Sequence, residues 1–152
     1  MRSPADLATV FRKRGMKLTP QRQLLFRLLY ENGTHPSAEA LYTVASEQMP
    51  GISLRTVYQT LSELVALGEL RHVALDSGSV RFDPNVADHH HIVCAVCGEI
   101  RDVYVQGADE LDIDGLDGFV ADSTDIVFRG RCRRCAASDP NHNPNPTERE
   151  TP

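Results

Sequence analysis

The four cysteines of this chain form two Cys-x-x-Cys pairs, Cys94/Cys97 and Cys132/Cys135, and no cysteine is left over. A two-residue gap lets both sulfurs of a pair reach one ion from a tight turn, and two such pairs complete a tetrahedral four-cysteine zinc site. Gly98 directly follows Cys97 and supplies the flexible backbone that such a turn needs. The spacing therefore predicts a structural Zn²⁺ ion that stabilises the second half of the chain.

Two other uses of these cysteines are open at this point. A single Cys-x-x-Cys can be a redox motif, although no thioredoxin-like βαβ pattern surrounds either pair. Disulfides would require an oxidising compartment. The first residues lack the apolar segment of a secretion signal, and no run of about 18 apolar residues occurs, so we expect a cytoplasmic protein without a membrane span.

Capping residues precede four apolar stretches in the first half of the chain. Ser3-Pro4 and Thr19-Pro20 each place a capping side chain before a proline at the first helical position. Ser37 and Ser53 are predicted to cap a third and a fourth helix in the same way. The pattern therefore predicts four short helices before residue 70.

Two β-like runs, residues 70–75 and 80–83, follow the fourth helix and are predicted to form a hairpin. Helices followed by a two-stranded hairpin occur in that order in winged helix-turn-helix domains, and the connection from Met49 to Ser53 is short enough for the turn. The fourth helix would then enter the major groove of DNA with its N-terminal residues leading. A helical bundle without a nucleic-acid role is the alternative.

The distribution of charge favours DNA as a partner of the first half. The net charge is −5, yet residues 1–30 hold seven Lys/Arg against one acid, whereas residues 85–152 hold six Lys/Arg and thirteen acids. A basic N-terminal segment on an acidic protein indicates a polyanionic partner that binds this segment only. We predict DNA contacts from Lys17, Arg22, Arg55, Thr56, Tyr58 and Gln59.

A run of histidines before Cys94 predicts a second metal site. If the segment that ends at Cys94 is a strand, His89 and His91 share one of its faces. If Cys94 lies opposite Glu99 in a following antiparallel strand, the same register places His91 opposite Asp102. A carboxylate then lies beside an imidazole.

Asp83, at the end of the predicted hairpin, and His35, after the second helix, are candidates to complete this site. The full set offers three imidazoles and two carboxylates: His35, Asp83, His89, His91 and Asp102. Such a mixture suits a divalent first-row ion such as Fe(II), Mn(II) or Zn(II), rather than Cu(I) or Mg(II). The alternative is a solvated histidine loop.

The rest of the chain gives weaker signals. Residues 107–118 are acidic, and Leu111, Ile113 and Leu116 predict a short helix there. Residues 119–120 and 126–128 are predicted as further strands, and the polar, Pro- and Asn-rich residues 136–152 as a disordered tail.

From about residue 5 to Cys135 the chain resembles the ferric uptake regulator family. The resemblance is carried, in the family's order and spacing, by Leu18-Thr-Pro-Gln-Arg22, His35-Pro-Ser-Ala-Glu39, Thr56-Val-Tyr58, Arg81-Phe-Asp83, His89-x-His91, the Cys-x-x-Cys-Gly knuckle and Gly130-x-Cys-x-x-Cys135. It implies a homodimeric, metal-dependent repressor with an α+β fold. The implied ranges are 1–84 for a winged-helix DNA-binding domain, 85–135 for an α/β dimerisation and metal-binding domain, and 136–152 for the tail. The resemblance also implies structural Zn²⁺ at the four cysteines and regulatory Fe²⁺ or Mn²⁺ at the histidine and aspartate positions.

Asp83 makes the chain look like the peroxide-sensing branch, because iron-sensing members usually carry glutamate at that position. In the peroxide-sensing branch Fe(II) reacts with peroxide and oxidises a ligating histidine, which matches His35 and either His89 or His91, and DNA is released. The resemblance thus implies control of oxidative-stress and metal-homeostasis genes. An iron-responsive regulator is the alternative, ahead of zinc- or nickel-responsive ones. Gln59 replaces an arginine that is common in the family, so we expect different operator contacts.

Two other classes of function were weighed against a repressor. An enzyme would use the histidine and aspartate site for hydrolysis or redox chemistry, but five protein ligands leave little room for a substrate. A zinc-stapled adaptor that binds only protein would lack the steeply salt-dependent DNA affinity of a repressor. We therefore expect a regulator and not an enzyme.

Overall fold

The computed structural model describes residues 1–73, 80–115, 117–120 and 123–138. The chain divides into two compact units, the first Met1–His89 and the second beginning at His90. Helices dominate the first unit and a three-stranded sheet the second, so the α+β fold predicted from the sequence is confirmed. Residues 85–89, which the sequence analysis grouped with the second domain, belong to the first unit.

The four longer helices all begin where the sequence predicts. They are α1 (Pro4–Lys13), α2 (Pro20–Leu29), α3 (Ala38–Gln48) and α4 (Leu54–Ala66). The hydroxyl groups of Ser3, Thr19, Ser37 and Ser53 each accept a hydrogen bond from the backbone N–H three residues later. These caps satisfy backbone donors that the first helical turn leaves without an internal partner.

The apolar faces of α1 to α4 meet in a single core. Phe11 and Phe26 lie at its centre, fully buried, with ring centroids 4.9 Å apart in an edge-to-face arrangement. Between α3 and α4 the backbone N–H of Ile52 donates to the carbonyl of Met49, and the Ile52 side chain is buried. This hydrogen bond and the buried Ile52 side chain keep the turn of the helix-turn-helix tight. The capped first turn of α4 follows directly after it.

A hairpin completes the first unit. β1 (Arg71–Val73) pairs antiparallel with β2 (Arg81–Asp83), and Arg71 lies opposite Asp83. The predicted turn between them falls in residues 74–79, outside the described residues. The order of helices, turn and hairpin is that of a winged helix-turn-helix, as predicted.

The second unit is built on β3 (His90–Cys94), β4 (Ile100–Val103) and β5 (Val127–Gly130), followed by the short helix α5 (Arg133–Ala137). β3 is central, antiparallel to β4 and parallel to β5. His91 lies opposite Asp102 in this pairing, which confirms the predicted register.

Two predictions between β4 and β5 are wrong. Instead of a helix, a single 3-10 turn (Ala108–Glu110) forms, and Leu111 and Ile113 are 48% and 45% exposed. Gly107 and Gly115 adopt left-handed backbone angles on either side, which interrupts a helix. Phe119 and Val120 lie in no strand and are exposed.

The end of the chain is described as far as residue 138, and α5 includes Ala136 and Ala137, the first residues of the predicted tail. Residues 139–152, like Leu116, lie outside the described residues. In the part of the chain that the structure describes, no helix has the length and apolar character that crossing a bilayer requires.

Candidate metal centres

In the first unit, two histidines converge on one aspartate. Nε2 of His89 lies 2.9 Å from Oδ2 of Asp83, and Nε2 of His35 lies 3.6 Å from Oδ1 of the same carboxylate. The three residues are 3%, 0% and 1% exposed for His89, His35 and Asp83. A buried carboxylate between two imidazoles is the donor set that a divalent first-row ion prefers.

Backbone carbonyls orient both imidazole rings. Nδ1 of His35 lies 3.1 Å from the carbonyl oxygen of Gly33, and Nδ1 of His89 lies 2.8 Å from that of Ala87. Because a carbonyl only accepts, each Nδ1 must carry the proton. Nε2, the atom of each ring that faces Asp83, is then the nitrogen that can bind a metal ion. A divalent ion between these two nitrogens and the carboxylate would satisfy both groups, so the geometry fits a metal ion.

The backbone brings these residues together from two elements. His35 lies between α2 and α3, and its φ of 49° places it in the left-handed region that few residues other than glycine adopt. Asp83 ends β2, and the neighbouring N–H of Phe82 donates to the carbonyl of Pro36 at 3.0 Å. The hydrogen bond therefore ties the end of the hairpin to the segment that carries His35.

The second unit contributes one further histidine and carboxylate pair. His91 on β3 and Asp102 on β4 are register partners, and a ring nitrogen and a carboxylate oxygen lie within 4.8 Å of each other. His90, the preceding residue, has a structural role, because its Nδ1 accepts a hydrogen bond from the N–H of Ile126 at 3.3 Å.

The four cysteines form a second cluster, entirely within the second unit. Cys94 ends β3, Cys97 lies in the following turn, and Cys132 and Cys135 lie at the start of α5. Their sulfurs all lie within 4.8 Å of one another, with 3.8 Å between those of Cys97 and Cys132. Two sulfurs on a tetrahedral zinc with bonds of about 2.3 Å are about 3.8 Å apart, whereas a disulfide bond is about 2.05 Å long. The donors fit zinc, and all four are free thiols.

The electrostatics of this cluster also favour a cation. The backbone N–H of Cys132 donates to Sγ of Cys94 at 3.3 Å and lowers the pKa of Cys94 to about 6. Side-chain hydrogen bonds with the sulfurs of Cys132 and Cys97 raise the pKa of Cys135 to about 12, and burial and the neighbouring charge add to the shift. Four thiolates can share this space only around a positive ion. Gly98, with a φ of 71°, donates its N–H to the carbonyl of Cys94 and closes the turn.

The predicted DNA contacts on α4 are at or near the surface. Arg55, Tyr58 and Gln59 are exposed, and Thr56 is partly exposed. The Tyr58 hydroxyl donates a hydrogen bond to the Glu39 carboxylate on α3, which lowers the pKa of Glu39 and raises that of Tyr58. Lys17, before α2, is also exposed.

Arg22 differs from the other predicted DNA contacts. Its side chain is 10% exposed and forms an ion pair with Glu63 of α4 at 2.6 Å. It also donates to the carbonyl of Lys17, and its guanidinium lies 5.5 Å from the ring centroid of Phe11. Arg22 therefore joins α2 to α4 inside the first unit, and it would have to leave Glu63 to reach DNA.

Comparison with known proteins identifies the family. The sequence pattern of the ferric uptake regulator family matches residues 13–120. The chain belongs to the ferric uptake regulator family. It is 37% identical over 126 residues to the peroxide-responsive repressor PerR of Staphylococcus epidermidis, which covers 82% of this chain and 84% of that one. The corresponding repressor of Staphylococcus saprophyticus is 34% identical over 107 residues, 70% of this chain and 72% of that one.

The solved structures agree on the fold of this ferric uptake regulator family member. The Helicobacter pylori ferric uptake regulator Fur, whose structure has three functional metal binding sites, matches with a TM-score of 0.72 at 23% identity. The match covers 86% of this chain and 89% of that one. Proteins of this family are transcription regulators, so the chain is a regulator and not an enzyme.

Several residues that shape this family member's sites were missed by the sequence analysis. The carbonyls of Gly33 and Ala87 orient the imidazoles, and Glu63 and Glu39 hold side chains of α4. The pairing of Gln59 with Glu63, four residues apart on one helix, is signalled by helical spacing. The other pairings depend on tertiary contacts or loop geometry, and Gly33 and Ala87 each precede their histidine by two residues.

Proposed function

We propose that the protein is a metal-dependent DNA-binding repressor that senses peroxide through Fe(II), or binds Mn(II), at His35, Asp83, His89, His91 and Asp102. The buried arrangement of His35 and His89 around Asp83 carries this proposal, because both rings direct Nε2 toward one carboxylate and together offer the donors that a divalent ion prefers. The register pair of His91 and Asp102 supplies two further donors of the same chemistry. Structural Zn²⁺ at the four cysteines is the second metal.

The ligands divide between the two units, and this division gives the metal a regulatory use. His35, Asp83 and His89 belong to the first unit, which contains the DNA-reading helix, and His91 and Asp102 to the second. An ion that gains two ligands from the second unit would set the orientation of the reading helices in a dimer. To shift the ratio of DNA-binding to inactive protein from 1:99 to 99:1, the ion must bind the DNA-binding state about 5.5 kcal/mol more tightly.

Peroxide is the proposed signal because the curated relatives are named peroxide-responsive repressors and because Asp83 occupies the branch-specific position. Bound Fe(II) supplies one-electron chemistry toward peroxide. The imidazoles of His35, His89 and His91 would hold the ion and are its oxidisable ligands. One oxygen atom of peroxide would be added to a ring carbon and the other would leave as water, and the two electrons that reduce peroxide would come from the ring. An oxidised ring is a poorer ligand, so metal and DNA would be released. An iron-responsive regulator is the alternative, since solved structures of ferric uptake regulators share the fold.

DNA is the proposed partner of the first unit, through Lys17, Arg55, Thr56, Tyr58 and Gln59 in the cytoplasm. The exposed face of α4 and its capped N-terminus support insertion into the major groove. We propose a homodimer formed by the second unit. Its exposed aromatic side chains, Tyr104 at 72% and Phe119 at 71%, are the kind of surface that a second copy covers.

The test is DNA binding by the full chain with and without Mn(II), followed by peroxide treatment of the Fe(II) form. We expect Mn(II) to strengthen binding to promoter DNA, and peroxide to abolish binding of the Fe(II) form with a gain of one oxygen on a peptide that carries His35, His89 or His91. His35→Ala should retain zinc and the dimer and lose the response to Mn(II). His142→Ala is the matched control.

Each result separates the alternatives. Intact histidines with DNA binding retained after peroxide would favour the iron-responsive alternative. A His35→Ala protein that still responds fully to Mn(II) would remove the regulatory site.

A further inference from the structure

Three side chains in the first unit form a connected series that ends on the DNA-reading face. Arg22, buried between α2 and α4, donates to Oε1 of Glu63 at 2.6 Å. The same guanidinium is held by the carbonyl of Lys17 and lies over the ring of Phe11. Because the Lys17 carbonyl and the Phe11 ring position Arg22, its guanidinium fixes the carboxylate of Glu63 on α4.

Glu63 in turn fixes the amide of Gln59, one helical turn earlier. Nε2 of Gln59 donates to the same Oε1 atom at 3.2 Å. A carboxylate oxygen only accepts hydrogen bonds, so the amide end that faces it must be the NH2 group. The opposite orientation would place two acceptors against each other. The carboxylate therefore determines which way the amide points.

The fixed amide presents an acceptor next to a donor. Gln59 is exposed on the second turn of α4, and the bond to Glu63 uses one of its two amide protons. The carbonyl oxygen and the second proton can bind another molecule. Among the base edges of the major groove, adenine offers the matching pair, a donor at N6 beside an acceptor at N7, while guanine offers two acceptors.

We propose that Gln59 selects adenine at one position of each operator half-site, and that Glu63 and Arg22 act as positioning residues for its amide. The proposal rests on the DNA-binding function proposed above. An arginine at residue 59 has donors only and would select guanine instead. The side chain at residue 59 would thus set one base of the operator, provided that Glu63 stays in place.

The experiment is selection of binding sites from a random duplex DNA library by the full-length, Mn(II)-loaded protein, with sequencing of the enriched DNA. The wild type should enrich a half-site with one adenine that Gln59→Ala no longer requires, while the remaining positions persist. Gln59→Arg should change that base to guanine. Measured on the selected duplex, replacing the adenine should weaken wild-type binding by about 5- to 150-fold and Gln59→Ala binding hardly at all.

A second variant tests the positioning role. Glu63→Gln should reduce the preference for adenine without shifting the preference at other positions, a readout that a general loss of structure would not give. Glu47→Gln, an exposed glutamate of α3, is the matched control. If Glu63→Gln does not fold, Glu63→Asp replaces it; the shorter carboxylate keeps its charge but withdraws from Nε2 of Gln59, and the preference for adenine should fall in the same way.

The outcomes distinguish this inference from the function on which it rests. A wild-type protein that enriches no sequence would refute the DNA-binding function itself. An enriched half-site that Gln59→Ala and Gln59→Arg leave unchanged at every position would overturn the role of Gln59 alone. A preference for adenine that survives Glu63→Gln would overturn the positioning role.

Discussion

Nε2 of His89 lies 2.9 Å from the carboxylate of Asp83 while Nδ1 of the same ring lies 2.8 Å from the carbonyl of Ala87. One imidazole thus has a backbone carbonyl at Nδ1, which orients the ring, and a carboxylate at Nε2, the nitrogen that can bind a metal ion. The Ala87 carbonyl orients the ring as a ligand, and the Asp83 carboxylate attracts the ion.

Replacing His89 by alanine should weaken Mn(II) binding by more than the roughly 10- to 100-fold loss that follows removal of an outer partner of a ligand. The zinc content should not change, because the cysteine cluster lies in the other unit. Titration calorimetry with Mn(II) and elemental analysis of zinc measure the two effects. His72→Ala, an exposed histidine of β1, is the control, and equal Mn(II) affinity of the two variants would contradict the assignment.

Cys97→Ser should remove zinc and unfold the second unit. The buried apolar or sulfur-bearing residues described in that unit are few, namely Val93, Cys94, Ile100, Ala108 and Cys132. Such a small core needs the roughly 10–16 kcal/mol that a structural zinc supplies. Zinc analysis and circular dichroism report the loss. Val96→Ser changes an exposed neighbour in the same turn and should keep zinc. A Cys97→Ser protein that is folded and contains its full zinc would contradict the structural role of the ion.

The hydrogen bond from Tyr58 to Glu39 predicts a pH range in which it contributes to stability. It lowers the pKa of Glu39 below 4.5 and raises that of Tyr58 above 10.0. The contribution of this hydrogen bond to stability is therefore present between the two pKa values. It is lost as pH falls through the lowered pKa of Glu39 or rises through the raised pKa of Tyr58.

Titration of ¹³Cζ-tyrosine-labelled protein by NMR should show this shift for Tyr58. Glu39→Gln should return the pKa of Tyr58 toward 10.0 and leave the titration curves of the other three tyrosines unchanged. An unmoved Tyr58 curve in Glu39→Gln would mean that the bond does not form in solution.

Arg22→Ala should destabilise the protein by about 2–4 kcal/mol. The side chains of Arg22 and Glu63 are 10% and 23% exposed, so the remaining carboxylate would be poorly solvated, although less so than in a sealed interior. Urea unfolding followed by circular dichroism measures the change. Arg27→Ala, an exposed arginine of the same helix, should stay near wild type; a similar loss in both variants would mean that the ion pair with Glu63 is not the cause.

Local chemistry made much of this structure predictable. Ser37 and Ser53 predict the starts of α3 and α4, because a capping hydroxyl and its backbone donor are three residues apart in the chain. The pairing of His91 with Asp102 followed from the turn length at the first cysteine pair. Alternation and spacing therefore sufficed for the helix caps and for this strand pair.

Long-range pairing was less accessible. The parallel alignment of β5 with β3 joins His91 to Val127, far apart in sequence, and no pattern in either strand specifies the other. The ion pair of Arg22 with Glu63 joins two helices that are far apart in sequence, and the charge pattern that predicts a DNA contact for Arg22 does not report it. Phe119 and Val120 have strand-forming side chains but no strand beside them.

Keeping a histidine at φ 49° costs about 1–2 kcal/mol, which glycine would not incur. A search for heat-resistant variants that rewards backbone comfort would therefore choose glycine at residue 35 early. Such a variant would relieve the backbone but would lose a proposed metal ligand, and it would leave a cavity where the buried imidazole lies. Engineers who want a hardier repressor should leave this residue untouched and look for stability elsewhere.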